Sequence, residues 1–151
     1  MDRYDRQILE ALQQDGRISN KQLAERVSLS ESACLRRVRA LEEDGTIHRY
    51  VAMLSQEKVG VSGDVLVHIG LHREEQSELA AFEEAVRQIP EVMECYLMTG
   101  EFDYLLRVVV ADMADFERIH KEELTRLPGV ARVNSSVAIR KVLKRTALPL
   151  R

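Results

Sequence analysis

The chain has 151 residues and a formal net charge of −3, from 22 lysines and arginines against 25 aspartates and glutamates. Its 45% hydrophobic and 31% charged residues are typical of a globular protein and exclude a disordered or fibrous chain. No apolar run approaches the roughly 20 residues of a membrane span, and the N-terminus lacks the apolar stretch of a secretory signal, so we expect no membrane partner.

The N-terminal third predicts a bundle of short helices. Apolar residues recur at helical spacing over residues 4–12, and Gly16 follows as a stop signal. Ser19 and Gln22 have the spacing of a capping box, in which two side chains satisfy the free N–H groups at the start of a helix. A second helix is therefore predicted to begin at Ser19.

A third helix is predicted to follow after a four-residue turn and to stop at Gly45. Ser30 is the favoured N-cap, although Ser28 fits the same signal, and the boundary stays open between the two. The residues predicted to share the buried face of this helix are Cys34, Leu35, Val38 and Leu41.

The sequence divides into two domains joined by a hinge. Thr46 to Met53 is rich in β-formers and predicts a short linking strand, and residues 55–63 contain two glycines among polar residues. We therefore predict a helix-turn-helix domain over 1–50, a linking strand and hinge over 51–63, and a second domain over 64–151.

Beyond the hinge the hydrophobic period alternates between two and 3.6 residues, which predicts a β-α-β-β-α-β order. The predicted strands are 65–72, 92–99, 104–110 and 130–143, and the predicted helices run from Leu79 to Pro90 and from Phe116 to Pro128. The fold class is therefore α+β: an N-terminal three-helix domain and a C-terminal ferredoxin-like sandwich.

The second and third helices have the spacing of a helix-turn-helix, in which the second helix enters the major groove of DNA. Ser32, Ala33 and Arg36 are predicted to face bases, since small residues allow close approach and arginine binds guanine through two hydrogen bonds. A plain three-helix bundle with solvated arginines fits the same spacing. The full set of predicted DNA-binding residues is Ser30, Ser32, Ala33, Arg36, Arg37, Arg39 and Lys21.

The charge is distributed unevenly along the chain. Residues 1–50 hold nine basic and nine acidic side chains, 51–137 hold eight and sixteen, and 138–151 hold five and none. A neutral first domain binds DNA weakly as a monomer, so we expect the affinity to come from dimers or larger assemblies that present several copies.

The connection between the second and third predicted strands is a candidate amino-acid site. A loop carboxylate accepts hydrogen bonds from an ammonium group, and free main-chain N–H groups beside a glycine meet a carboxylate. A tight β-turn explains the same residue types without any ligand. The candidate residues are Met98, Thr99, Gly100, Glu101, Phe102, Asp103 and Tyr104.

The sequence offers no catalytic or metal-binding signature, and we expect a protein that is not an enzyme and carries no cofactor. His68 and His72 lie more than about 12 Å apart on an extended strand, too far to bind one ion. Cys34 and Cys95 have no paired Cys or His spacing, which fits a reducing cytoplasm better than a disulfide or zinc framework.

Four segments together resemble the Lrp/AsnC (leucine-responsive/asparagine regulator) transcription factors: DRQILEALQQDGRIS, LAERVSLSESACLRRVRALEEDGTI, ECYLMTGEFDYLLRV and LTRLPGV. The resemblance runs from about Asp2 to Leu143, with the segments in the family's order. It implies a DNA-binding domain and a domain that binds a small effector near the G-x-x-D-Y loop, here Gly100, Asp103 and Tyr104. It also implies homodimers, which often assemble into octamers as tetramers of dimers.

Two positions depart from the family pattern. The family usually has glycine in the helix-helix turn where this chain has Ser28, and if this residue is left-handed the serine costs up to about 1 kcal/mol. The family usually has aspartate where this chain has Glu101, which leaves the identity of the effector open.

We therefore favour an amino-acid-responsive, DNA-binding transcriptional regulator that works in the cytoplasm, at the nucleoid. The alternative is a nucleoid-architectural protein that wraps DNA without an effector, which predicts a long protected footprint with little sequence dependence. A more distant alternative is an amino-acid-binding or catalytic module that uses the second domain alone; it predicts normal function after residues 1–50 are deleted.

Overall fold

The computed structural model describes residues 1–150, which form two compact units. The head unit consists of Met1–Met53 together with the C-terminal segment that begins at Val142, and the sandwich consists of Leu54–Lys141. The helices of the head unit are α1 (Arg3–Gln14), α2 (Asn20–Val27) and α3 (Glu31–Glu43).

Side-chain caps fix where the helices of the head unit begin. The Ser19 side chain accepts a hydrogen bond from the Gln22 N–H and the Gln22 side chain accepts one from the Ser19 N–H, so the predicted capping box is confirmed. Ser30 accepts from the Ala33 N–H and is the N-cap of α3. Ser28 has φ 56° and ψ 47°, a left-handed conformation that ends α2 instead of starting α3.

One face of each helix builds the core of the head unit. The buried residues are Ile8, Leu9, Ala11, Leu23, Ala24, Val27, Cys34 and Leu41. The prediction that Leu35 belongs to this core was wrong, because 38% of its surface is exposed. At about 100° per residue, Leu35 lies a quarter turn away from Cys34 and leaves the buried stripe.

The sandwich has the predicted β-α-β-β-α-β order, which confirms the α+β fold class. Its antiparallel sheet has the strand order β2-β3-β1-β4. The elements are β1 (Gly63–Leu71), α4 (Gln76–Val86), β2 (Val92–Leu97), β3 (Tyr104–Val110), α5 (Met113–Glu122), a 3₁₀ turn (Leu124–Arg126) and β4 (Val130–Val137). No helix among residues 1–150 combines the length and apolar character of a membrane span.

The helices cover one face of the sheet and leave the other face open. Phe82 of α4 and Ile119 of α5 are fully buried against the alternate residues of β1, among them Val67. Leu66 and Tyr96, which belong to the opposite face by register, are 39% and 52% exposed. The open face is thus a sheet surface with apolar side chains in contact with solvent.

Two predicted strand segments differ from the structure. The predicted linking strand is absent, since residues 44–62 contain no strand, and within residues 1–150 that segment has no neighbouring strand to satisfy its N–H and C=O groups. The predicted strand 130–143 ends at Val137, because its partner β1 runs out there and the last bond joins the Ala138 N–H to the Asp64 carbonyl.

The predicted second domain over 64–151 differs in extent from the compact units, because the C-terminal segment that begins at Val142 groups with the head unit. The Gln13 side chain donates to the Leu148 carbonyl at 3.2 Å and accepts from the Leu148 N–H at 2.6 Å. Leu150 packs against the core of the head unit. The backbone amide of Leu148, seven residues beyond the last sandwich residue, thus joins the tail to α1, and the Leu150 side chain packs two residues further on.

Candidate functional site

Helices α2 and α3 form a tight pair whose turn is held by side chains. The Asn20 side-chain amide donates to the Glu31 carbonyl at 2.9 Å and so joins the first residue of α2 to the first residue of α3. The Ser30 hydroxyl caps α3 and lies 3.3 Å from the Ser32 hydroxyl. These contacts fix the start of α3, the end that a helix-turn-helix presents to bases.

A polar stripe on α3 faces solvent. Taking the buried Cys34 and Leu41 as the centre of one face, about 100° per residue places Ser32, Arg36 and Arg39 on the opposite face. All three are exposed, and Ala33 beside them is half-buried. Within residues 1–150, neither Arg36 nor Arg39 has an acidic side chain in salt-bridge range, and the same is true of Lys21 on α2.

Arg37, which the sequence placed among phosphate-binding residues, is instead held inside the head unit. Its Nη1 lies 2.7 Å from carboxylate oxygens of both Asp2 and Asp5, and its guanidinium lies 5.4 Å from the Tyr4 ring centre. The hydrogen bond to Asp5, then that to Asp2, raises the pKa of Arg37. At this position on α3 the side chain is next to the buried stripe, where it reaches the first turn of α1.

The 98–104 loop is a closed connection at one end of the sheet. The Met98 N–H donates to the Asp103 carbonyl at 2.8 Å, and the Asp103 N–H donates to the Ile69 carbonyl at 2.9 Å. Gly100 has φ 121°, a conformation that side-chain-bearing residues rarely adopt. Among the described residues, no internal acceptor binds the N–H groups of residues 99–102.

The carboxylate of Asp103 is partly used by the fold. Its Oδ2 accepts a hydrogen bond from the Leu71 N–H at 2.6 Å. The Ile69 carbonyl already faces β3, and because strand groups two residues apart point to the same side, the Leu71 N–H faces Asp103 as well. The other carboxylate oxygen, Oδ1, accepts no hydrogen bond among the described residues.

Tyr104 is a core residue and does not line a binding surface. Only 1% of its surface is exposed, its ring stacks on Phe82 at 4.4 Å, and its hydroxyl donates to Glu83 at 2.9 Å. Burial, reinforced by the hydrogen bond to Glu83, raises the pKa of Tyr104. The prediction that Tyr104 contacts the effector is therefore corrected: as the first residue of β3 it points to the helix side of the sheet.

Sequence reasoning missed Arg132 of β4, which lies against the loop. Its Nη2 donates to the Glu101 carbonyl at 3.3 Å, and its guanidinium lies 5.2 Å from the Phe102 ring centre. The other neighbour of the Phe102 ring is His68, at 5.1 Å. A signal was present in the sequence, because Gly70 within a strand marks a close approach of other groups, here Arg132.

Comparison with known proteins assigns both units. Residues 64–148 match the Lrp/AsnC ligand binding domain, and residues 1–48 match a winged helix-turn-helix DNA-binding domain. The Bkd operon transcriptional regulator of Pseudomonas aeruginosa is 44% identical over 150 residues, covering 99% of this chain and 98% of that protein. The chain belongs to the Lrp/AsnC family.

Other Lrp/AsnC proteins are similar over their whole length. The leucine-responsive regulatory protein of Escherichia coli is 42% identical and covers 100% of this chain and 92% of its own. A transcriptional regulator from Neisseria meningitidis, crystallised with L-Met, superposes with a TM-score of 0.93 at 37% identity, covering 99% of this chain and 96% of that one. An AsnC family transcriptional regulator from Agrobacterium tumefaciens superposes with a TM-score of 0.94 at 40% identity, covering 99% of this chain and 97% of that one.

The two matched regions contain the two candidate sites. The α3 stripe lies within the DNA-binding match and the 98–104 loop within the ligand-binding match. The chain is thus a transcription regulator of the Lrp/AsnC family with one DNA-binding and one ligand-binding domain.

Proposed function

We propose that this Lrp/AsnC regulator reads a specific operator with α3 and that a free amino acid, bound at the 98–104 loop, controls it. The observation that carries the DNA half is the outward stripe of α3, whose two arginines lack acidic partners among the described residues. Unpaired arginines keep their donors free for bases and phosphates. Such a protein acts on the chromosome, so we place it in the cytoplasm, at the nucleoid.

The contacts divide by distance from the turn of the helix pair. Base edges are contacted by residues in the first half of α3, namely Ser32, Ala33 and Arg36. Ser30 caps the helix and lies beside the DNA backbone. Arg39 and Lys21 are exposed and carry phosphate contacts. Arg37 has no such role in the proposal, because Asp2 and Asp5 hold it.

Arg36 tests this assignment. An operator is first selected from a random DNA library with the wild-type protein, and affinities for that operator and for random DNA are then measured at fixed salt. Arg36→Ala should lose roughly 10- to 100-fold of the preference for the operator. Arg36→Lys is the matched control: it keeps the charge but loses the two-pronged donor, so a base-reading Arg36 fails in this variant and a phosphate-binding one survives.

The effector half rests on the groups that the loop leaves free. Asp103 Oδ1 takes the ammonium group, and the unsatisfied N–H groups of residues 99–102 take the carboxylate. The similar Neisseria regulator was crystallised with L-Met, which supports an amino acid as the ligand class. A thermal-shift screen of the twenty amino acids should find a stabiliser, and calorimetry should show that Asp103→Asn weakens its binding.

We further propose that the open sheet face pairs two subunits and that four dimers assemble around the loops. Leu66 and Tyr96 leave apolar surface on that face that a second copy would cover. An effector bound between dimers favours whichever packing completes its site, so binding shifts the population of assembly states. Light scattering with and without the stabilising amino acid tests this, and an unchanged, effector-independent footprint would favour the DNA-wrapping alternative instead.

A further inference from the structure

Arg132 lies at the end of the sheet beside the 98–104 loop and forms only a weak, solvent-exposed ion pair among the described residues. Arg132 has 59% of its side chain exposed, and the one acidic side chain within 4 Å of it among the described residues is Glu101, whose carboxylate lies 3.6 Å from Nη1 and is 74% exposed. Solvent-exposed pairs of this kind contribute little to stability and exchange readily. The guanidinium is therefore available to another carboxylate.

The backbone and neighbouring side chains nevertheless fix where this guanidinium lies. A Cβ at Gly70 would come within 3.3 Å of the Arg132 Nε, so the side chain lies flat on a strand position that has no side chain of its own. The Phe102 ring lies on it at 5.2 Å, and the Glu101 carbonyl accepts from Nη2 at 3.3 Å. Less side-chain entropy is then lost when a ligand binds.

The negatively charged carboxylate of Asp103 is held close to Arg132 in register, one residue further along β1. Arg132 lies over Gly70, and the Asp103 carboxylate is held by the N–H of the next residue, Leu71. The Glu101 carbonyl that orients Arg132 belongs to the same loop whose N–H groups at residues 99–102 lack internal acceptors. A fixed cation, a fixed carboxylate and free N–H donors thus converge at one end of the sheet.

We infer that Arg132 is the carboxylate anchor of the effector site and restricts its ligands to amino acids with a free α-carboxylate. The inference rests on the proposed amino-acid effector and adds the residue that gives the site its positive charge. The ligand's carboxylate displaces the Glu101 side chain from the guanidinium, while Asp103 Oδ1 binds the ammonium group. The guanidinium fork of Arg132 matches a carboxylate with both charge and geometry, whereas main-chain N–H groups alone also donate to a neutral amide carbonyl and so discriminate less between acid and amide.

The test compares an amino acid with its own carboxamide. Calorimetry on the full-length protein measures, for each of the twenty amino acids that binds, the affinity of that acid and of its α-carboxamide. The wild type should prefer the acid roughly 10- to 100-fold, and Arg132→Gln should remove most of this preference by weakening the acid and leaving the amide unchanged. Arg132→Lys should keep part of the preference, and Glu101→Gln should bind the acid at least as tightly as the wild type.

Each alternative outcome is distinct. If Arg132 only positions the loop, Arg132→Gln weakens acid and amide by the same factor and the inference is overturned. If Arg132→Gln binds both as the wild type does, it is overturned as well, while the effector proposal stands. If the wild type binds no amino acid, both fail. Arg87→Gln is the matched control and should change neither affinity, since Arg87 is an exposed arginine of the same unit whose one ion pair among residues 1–150 is with Glu84 at 3.4 Å.

Discussion

The two candidate sites differ in how much of their chemistry is already used inside the chain. On α3, Arg36 and Arg39 are exposed and have no acidic partner among the described residues. In the 98–104 loop, Tyr104 is buried and one oxygen of Asp103 is bound to the Leu71 N–H. The α3 stripe thus keeps its polar groups free, whereas the 98–104 loop uses part of its polar groups to build its own structure.

The largest expected effect is on the free energy of unfolding, and it distinguishes the buried Tyr104 from the exposed residues of the 98–104 loop. Tyr104→Ala removes a ring stacked on Phe82 and leaves Glu83 without its hydrogen bond, so the free energy of unfolding should fall by about 3–5 kcal/mol. Thr99→Ala, at an exposed position of the same loop, should stay within about 0.5 kcal/mol of the wild type. Urea unfolding measures both; equal losses would mean that the loop is not divided in this way.

Local patterns in the sequence predicted the local structure well. The capping box at Ser19 and Gln22 and the strand-helix order of the sandwich depend on neighbours within a few residues, and both are confirmed. Ser28 was predicted to cost stability if it is left-handed, and its φ of 56° satisfies that condition. These signals are readable because caps and periods arise from the helix or strand that contains them.

Contacts between distant segments were not predictable in the same way. Arg37 meets Asp2 and Asp5 across more than thirty residues of sequence, and its position on the helix is the same whether it binds phosphate or carboxylate. The tail joins Gln13 from 135 residues away. In each case a long polar side chain could bind several partners, and only folding brings one of them near. The residue type alone therefore does not identify the partner.

A buried ion cluster in the sandwich gives the next largest effect. Asp64 is 9% exposed and lies 2.8 Å from Arg107 and 2.9 Å from Lys141. Burial raises the pKa of Asp64, but the hydrogen bonds and charges of Lys141 and Arg107 outweigh it, and the net result is a pKa below the ordinary value of 3.8. The carboxylate therefore stabilises the fold fully above about pH 4, and this contribution is lost as the pH falls through the lowered pKa.

Asp64→Asn tests whether this ion cluster stabilises the sandwich. At pH 7 the variant should lose about 1–3 kcal/mol of unfolding free energy, since two cations lose a charged acceptor. Between pH 4 and pH 2 its stability should fall less steeply than that of the wild type. Parallel pH profiles would show that Asp64 is not the titrating group.

A smaller effect concerns the tail. Gln13→Ala removes both hydrogen bonds to Leu148 while leaving the buried side of α1 unchanged, and it should cost about 0.5–1.5 kcal/mol. For a unit of this size, about 1 kcal/mol lowers the melting temperature by about 4–8 °C. Glu10→Ala, an exposed position on the same helix, is the control. The same substitution is then made in a chain that ends at Lys141. If the truncated chains with and without Gln13→Ala melt at the same temperature, the loss in the full chain is due to the tail. If the truncated Gln13→Ala chain still melts lower, Gln13 acts within the helices.

The smallest effect is a gain, at the turn that positions α3. Ser28 is the one non-glycine residue with positive φ among residues 1–150, and within those residues its hydroxyl makes no hydrogen bond that a substitution would remove. Ser28→Gly relieves the strain between Cβ and the backbone, part of which is offset by the greater freedom of glycine in the unfolded chain. The net gain should be at most about 1 kcal/mol, with operator affinity unchanged because the turn keeps its shape. Ser28→Ala keeps the Cβ and should be neutral, so a glycine variant no more stable than the alanine variant would show that the left-handed serine carries no strain.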